Sequence, residues 1–489
     1  MTLDLNLLTI LEIRDLLVSK QISCLELTQK YLDRIEKFDP QVKAFITVTK
    51  EVALNKAKEI DTKIATGKPL GKLAGAVMAV KDIYLTQGVE TTAGSQVLKG
   101  FIPQYSSTVY QHLIDEDAIL IGKTNTDTFA FGASTENSGF FTSHNPWNLD
   151  LVPGGSSGGS AAALSAGFCT FALGTDTGGS IRQPASLCGL TGIKTTYGRN
   201  SRYGITAMAS SFDCPGTFTR TSQDAALITG IMAGHDQFDA TSSLESVPDY
   251  LNLLNQSKFT GLKIGLPKEY FEGSLDPEVK KIVLNNVEAL KAQGAQIIDI
   301  SLPSTGLGID VYYVLVPCEI SSNMARYDGL RFGQSKRDQT NLLEYYLSTR
   351  GEFMEPEMKR RIIIGTYALS AGYYDAYYTQ AWKVRHLIQQ EFSKAFEKVD
   401  VILAPVSPTP AWPIGQKAND PLQMYLADVY TVCINVAGLP SLALPGGFTA
   451  QNLPVGFQLI GNYFAESQLF SLGHQFQNLT DYHLKSPKL

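Results

Sequence analysis

Apolar and polar positions in the first 65 residues recur with a helical period. In "SCLELTQKYLDRI" the apolar residues fall at i, i+3 and i+4 behind Ser23, with Glu26 three residues on, the arrangement of a capping box. Helices are predicted over about 1–65. Beyond that the pattern changes. "AGAVMAVKDI" (74–83), "AILIGKTN" (118–125) and "FCTFALGTD" (168–176) are short unbroken apolar runs ending in polar loops, as strands buried on both faces read. "SAAALSAG" (160–167) predicts a small-residue helix stopped at Gly167. "GLKIGLPKEYF" (261–271) predicts a strand and loop, Pro277 opens a helix, and "AQIIDIS" and "DVILAPVSPTPAW" (400–412) give further strands. Strands alternating with helices predict the α/β class, with a mixed central β-sheet covered by helices and a site in the loops beyond strand ends. The turn-rich stretch 236–258 reads as a surface connection. With no repeat or charged linker, one domain is expected over 1–489, its helical N-terminal segment packed on the core.

Composition narrows the function classes. The chain has 489 residues, 44% hydrophobic and 18% charged, enough for a large core. Its 41 basic and 47 acidic residues give a net charge of −6, which argues against a basic face gripping nucleic acid or an anionic membrane. No apolar run reaches the roughly 18 residues of a membrane helix; the best candidate, Ala161 to Ala172, contains Ser165 and Thr170. The opening "MTLDLNLLTILEIRD" lacks the basic region of a signal peptide. The six cysteines form no C-x-x-C pair and read as buried thiols of a reducing cytoplasm.

Chemistry concentrates in two glycine-serine clusters, "PGGSSGGS" (153–160) and "DTGGS" (176–180). A phosphate-binding P-loop fits neither, because no lysine follows; "GKT" at Gly122–Thr124 has Asp117 where the first glycine belongs. A lipase-type G-x-S-x-G surrounds both Ser156 and Ser157. It then needs a downstream histidine, and His235, His386, His474 and His483 all stand in unremarkable settings. A third solution uses a base other than histidine. Lys81 ends the apolar run "AVMAVK", and a lysine buried among apolar and hydroxyl groups can give up its proton and then accept one from a serine.

These segments, "AVKD", "GGSSGGSAAALSAG" and "GTDTGGSIRQPASLCGLTGIKTTYGR", resemble the amidase-signature enzymes. The resemblance implies a Ser-cis-Ser-Lys triad: Ser180 as nucleophile, Ser156 as the relay on a cis peptide, Lys81 as base. Ser180 would open a helical stretch, and the amides of Thr177, Gly178, Gly179 and Ser180 would form the oxyanion hole. Arg182 would anchor the turn on an acid such as Asp176. Further segments, "SRYG" (201–204), "YYVLVPCEISSNMARYDG" (312–329), "KRRIIIGTYALSAGYYDAYY" (359–378) and "MYLADVYTVCINVAGLPSLALPGG" (424–447), resemble the glutaminase subunits of tRNA-dependent amidotransferases. For a glutamine pocket this implies Arg361, rather than Arg360, on the α-carboxylate, Asp428 on the α-ammonium, and Tyr312 closing the site. It also implies the amidotransferase's B and C subunits as partners. ATP and Mg would sit on the B subunit, which would also make most of the contact with mischarged Glu-tRNA(Gln), and this chain would hold no cofactor or metal. Thr128 and Thr217 depart from that pattern, where Glu and Pro are usual. A stand-alone amidase and a non-catalytic scaffold are the competing readings.

Overall fold

The computed structural model describes residues 4–273, 275–418 and 420–489. Among them eleven strands join one sheet. They are β1 (Phe45–Val48), β2 (Val77–Lys81), β3 (Ile119–Thr124), β4 (Phe171–Thr175), β5 (Thr191–Lys194), β6 (Pro215–Thr219), β7 (Lys263–Pro267), β8 (Gln296–Ile300), β9 (Val401–Pro405), β10 (Ser441–Phe448) and β11 (Pro454–Ile460). The order is β1-β3-β2-β4-β6-β5-β10-β11-β9-β7-β8. The trio β3, β2 and β4 is parallel, and so is β9, β7 and β8. The strands between pair antiparallel, as does edge strand β1, so the sheet is mixed as predicted.

Every residue of β2, β3 and β4 is buried, which is why these strands read as unbroken apolar runs. The helix Gly158–Ser165 is likewise buried on all sides, so its sequence shows no polar face. The N-terminal segment forms helices Ile10–Val18, Cys24–Val42 and Lys50–Ala65. The Ser23–Glu26 capping box is present, and Thr9 with Glu12 makes a second one. Leu27, Tyr31 and Ile35 of the second helix join a cluster with Ala161–Leu164 below the sheet, each large side chain contributing roughly 1.5–3 kcal/mol by burial.

One element corrects the purely helical reading of 1–65. Phe45–Val48 is a strand, antiparallel to β3. Four residues are too few to show an alternation against flanking helices. The stretch 236–258 contains neither helix nor strand and is tied down by its carboxylates. Asp236 accepts from Thr108 and Ser201, at 2.6 Å each, and Asp239 pairs with Arg202 at 2.8 Å.

Candidate active site

Lys81 is the last residue of β2, flanked by β3 and β4, and Thr175 is the last residue of β4. Parallel pairing therefore brings both to one edge of the sheet, the edge where sites of open α/β sheets form. Lys81 is fully buried. Its Nζ lies 2.8 Å from Ser156 Oγ, 2.9 Å from Ser157 Oγ and 3.0 Å from Thr175 Oγ1. The Gly155–Ser156 peptide is cis. Burial pushes the Lys81 ammonium down to about 7, against the opposing pull of Asp127, Asp213 and Asp176. An ammonium has three donors for the three hydroxyls. The neutral amine keeps two and turns its lone pair on the third. Ser157 donates its own proton to the Thr175 carbonyl at 3.1 Å, which leaves its oxygen free to accept from the lysine. Ser157 and Thr175 are missed as partners of Lys81 by the sequence reading. Ser157 entered it only as a rival nucleophile, and Thr175 carried no signal.

The second cluster turns back over this edge. Ser180 is 7% exposed, whereas Lys81 and Ser156 are fully covered, so of the three only Ser180 meets solvent. Ser157 N–H donates to the Ser180 carbonyl at 3.3 Å, tying the clusters together. Among the described residues, none of the amides of Thr177, Gly178, Gly179 and Ser180 donates to a protein acceptor. The helix starts at Arg182 and not, as anticipated, at Ser180. The cause is Asp176, whose Oδ2 takes the amides of Ile181 and Arg182 at 3.2 and 3.3 Å and leaves Ser180 in the turn before the helix. Arg182 does pair with Asp176, through Nε–Oδ2 and Nη2–Oδ1 contacts of 3.0 Å. Burial raises the Asp176 carboxyl, but the guanidinium outweighs it and brings the group down to about 2. Thr177 Oγ1 is fixed by Asp213 at 2.8 Å, and the Gly178 carbonyl by Thr431 Oγ1 at 2.7 Å.

Two of the three residues expected around glutamine, Tyr312 and Asp428, meet at the glycines of this turn. A Cβ on Gly178 would lie 2.8 Å from the Tyr312 hydroxyl. One on Gly179, at φ +143°, would lie 2.2 Å from Thr431 Oγ1 and 3.0 Å from Asp428 Oδ1. Only glycine lets both side chains approach the turn. Asp428 Oδ1 is buried with no hydrogen-bond partner among the described residues. Burial raises the Asp428 carboxyl well above the usual range; Asp176 adds to this, and Arg182 and Arg361 oppose it. Arg361 lies on helix Pro356–Ala368 with its charge over the rings of Phe131, Tyr313 and Tyr425, at 5.7, 5.3 and 5.6 Å. Its Nε donates to Glu357 at 2.8 Å. Arg361 is 3% exposed, while the Arg360 side chain stands 46% exposed on the other side of the same Glu357. Tyr312 is raised by burial, with Arg361 lowering it and Asp428 raising it, so the three groups sense one another. Glu357 and the aromatic box around Arg361 are absent from the sequence reading, since nothing local distinguishes them from surface helix residues.

The rejected motifs also find their places. Lys123 of "GKT" is buried inside β3, paired with Asp82 at 3.0 Å. His235 bonds to Ser242 and His386 to Gln390. The departing residues are both accommodated: Thr128 Oγ1 donates to Glu355 at 2.8 Å and Thr217 Oγ1 to the Ala172 carbonyl at 3.0 Å.

Known proteins resemble this chain over nearly its full length. The Amidase family matches residues 26–470. The A subunit of a glutamyl-tRNA(Gln) amidotransferase from Ruthia magnifica subsp. Calyptogena magnifica is 53% identical over 98% of this chain and 99% of its own. Its counterpart from Carboxydothermus hydrogenoformans is 50% identical over 100% of both. The crystal structure of the Thermotoga maritima A subunit, 38% identical, superposes with a TM-score of 0.78 over 96% of this chain and 94% of that one. By sequence, by sheet and by match to solved structures, the chain belongs to the amidase family and, within it, to the group of glutamyl-tRNA(Gln) amidotransferase A subunits.

Proposed function

We propose that this chain is the glutaminase subunit of a tRNA-dependent glutamyl-tRNA(Gln) amidotransferase, in which it releases ammonia from glutamine for conversion of Glu-tRNA(Gln) to Gln-tRNA(Gln). The observation that carries the reading is an amine, Lys81, brought down to about 7 by burial and seated 2.8 Å from a serine hydroxyl. In this mechanism Ser180 Oγ attacks the side-chain amide carbon of glutamine. Its proton passes to Ser156, which gives its own to Lys81 Nζ. The amides of Thr177, Gly178, Gly179 and Ser180 receive the developing oxyanion; loss of one such donor typically costs about 3–4 kcal/mol of barrier. Lys81 returns a proton through Ser156 to the departing nitrogen, ammonia leaves, and water cleaves the Ser180 ester to give glutamate.

Arg361 and Asp428 answer the two charges of a free amino acid, and Tyr312 closes the pocket over the turn. An amide without an amino-acid end has no use for both charges, which disfavours a stand-alone amidase on other carboxamides. The relatives' names call them subunits, and the reaction needs more than this site offers. Activation of the glutamyl carboxylate falls to the B subunit, with its ATP and Mg and most of the tRNA contact; the C subunit completes a cytoplasmic heterotrimer. No helix among the described residues is long and apolar enough to cross a membrane.

The test is Ser180→Ala in the assembled complex. Glutamine hydrolysis and glutamine-dependent transamidation are lost by about 10⁴-fold or more, while added ammonium salt still supports Gln-tRNA(Gln) formation. Retained hydrolysis, or failure of ammonium to rescue, overturns the reading.

A further inference from the structure

A receptor for a free amino acid must hold a cation and an anion apart in one buried pocket. Left to themselves the two attract strongly, because little solvent screens them. Here the cation is Arg361 and the acid is Asp428, whose carboxyl burial raises well above the usual range. Arg361 acts to lower the Asp428 carboxyl, yet the two form no ion pair among the described residues, and Asp428 Oδ1 has no hydrogen-bond partner there. The group that occupies the guanidinium is Glu357, one turn before it on the same helix. Glu357 is 7% exposed, and its Oε1 accepts from Arg361 Nε at 2.8 Å and from the Tyr425 hydroxyl at 3.2 Å. Its other oxygen takes the half-exposed Arg360. Tyr425 in turn stacks on Tyr313 at 3.7 Å, and both rings face the Arg361 guanidinium. The Nε edge is thus engaged, while the two Nη groups take no acceptor among the described residues and remain open to the bidentate bond a carboxylate makes.

We propose that Glu357 is a positioning residue that keeps the amino-acid receptor open, restraining Arg361 from Asp428 and presenting its free edge to the substrate carboxylate. This rests on the glutaminase reading. Without Glu357 the guanidinium would be free to draw the Asp428 carboxyl into an ion pair, and that pairing would close both substrate handles at once. The chemistry at Ser180 would be untouched.

The test measures glutamine hydrolysis by the assembled complex carrying Glu357→Ala or Glu357→Gln. A parallel assay uses butanamide as an analogue, which keeps the side-chain amide of glutamine and lacks both the α-carboxylate and the α-amine. The alanine variant should raise KM for glutamine about tenfold or more, with kcat within about threefold of wild type and turnover of the analogue unchanged. The glutamine variant, whose amide oxygen still accepts from Nε, should recover most of this, with KM raised about threefold. A loss shared equally by both substrates marks a merely structural role and overturns the proposal, as does an unchanged KM. Should the alanine variant not fold, the glutamine variant decides alone, and wild-type KM there overturns it. A wild-type complex that fails to hydrolyse glutamine counts instead against the glutaminase reading.

Discussion

At the scale of single residues, the site turns on the energetic cost of burying one ammonium. Moving Lys81 from its ordinary 10.5 to about 7 corresponds to about 5 kcal/mol at roughly 1.4 kcal/mol per unit. Burial alone would go further; three buried aspartates hold it back. The result is an amine that is half neutral near neutral pH, where the proton transfer proposed for it is most effective. The sign follows directly. The base works only when deprotonated, so kcat/KM for glutamine should rise about tenfold per pH unit up to about 7 and level off above it. Lys81→Arg, which stays protonated, should lose about 10²–10⁴-fold. Initial rates of glutamate formation between about pH 5.5 and 8.5 check both; a profile flat through 7 removes Lys81 from the role of base.

At the scale of elements, the proposed glutamine pocket depends on how closely two helices approach. Gly308–Met324 carries Tyr312 and Tyr313, and Pro356–Ala368 carries Glu357 and Arg361. They meet backbone to backbone at Gly365, where a Cβ would lie 1.8 Å from the Pro317 carbonyl oxygen. A side chain there must push the helices apart and carry Arg361 away from the tyrosine rings. Gly365→Ala should therefore lower stability by about 1–3 kcal/mol and raise KM for glutamine, with a smaller effect on kcat. Thermal unfolding alongside saturation kinetics tests this. An unaltered melting temperature and KM would show that the contact relaxes without consequence.

At the scale of the whole molecule, Arg182 fastens the turn that bears Ser180, the proposed nucleophile, to the distant half of the sheet. It is fully buried and reaches Asp176, the Thr431 carbonyl at 3.1 Å, Asn435, and Gln458 of β11 at 3.0 Å. Gln458 in turn donates to the carbonyls of Pro405 and Tyr430, at 2.9 and 2.8 Å. One guanidinium fork thus joins β4, β9 and β11 through the turn that bears Ser180. Lysine cannot reproduce a five-donor planar fork. Arg182→Lys should cost about 3–5 kcal/mol, the usual penalty for breaking a buried ion pair, and should abolish glutamine hydrolysis even below its melting temperature. Denaturant unfolding with activity measured on the folded fraction checks this; a stable and active variant would mean the network is redundant.

Local order was legible along the chain. The capping box at Ser23, the buried runs that became β2, β3 and β4, and the position of Lys81 at the end of one of them all follow from side-chain periodicity. The Arg182–Asp176 pair could also be read, because its members lie six residues apart on one turn. The short strand Phe45–Val48 escaped for want of length. The helix start was misjudged because an acid upstream, rather than the residue at the cap, takes the first amides. What folding alone decided was which distant groups share a space. Ser157 and Thr175 beside Lys81, Asp428 against Gly179, and the rings of Tyr313 and Tyr425 over Arg361 arise from strand order and helix packing. Period and propensity act over a few residues, whereas desolvation and charge pairing act between whichever residues the packed chain brings within a few ångströms. For that reason the members of the proposed triad could be named from the sequence's resemblance to a family, while the buried surroundings that lower the Lys81 ammonium had to be found in three dimensions.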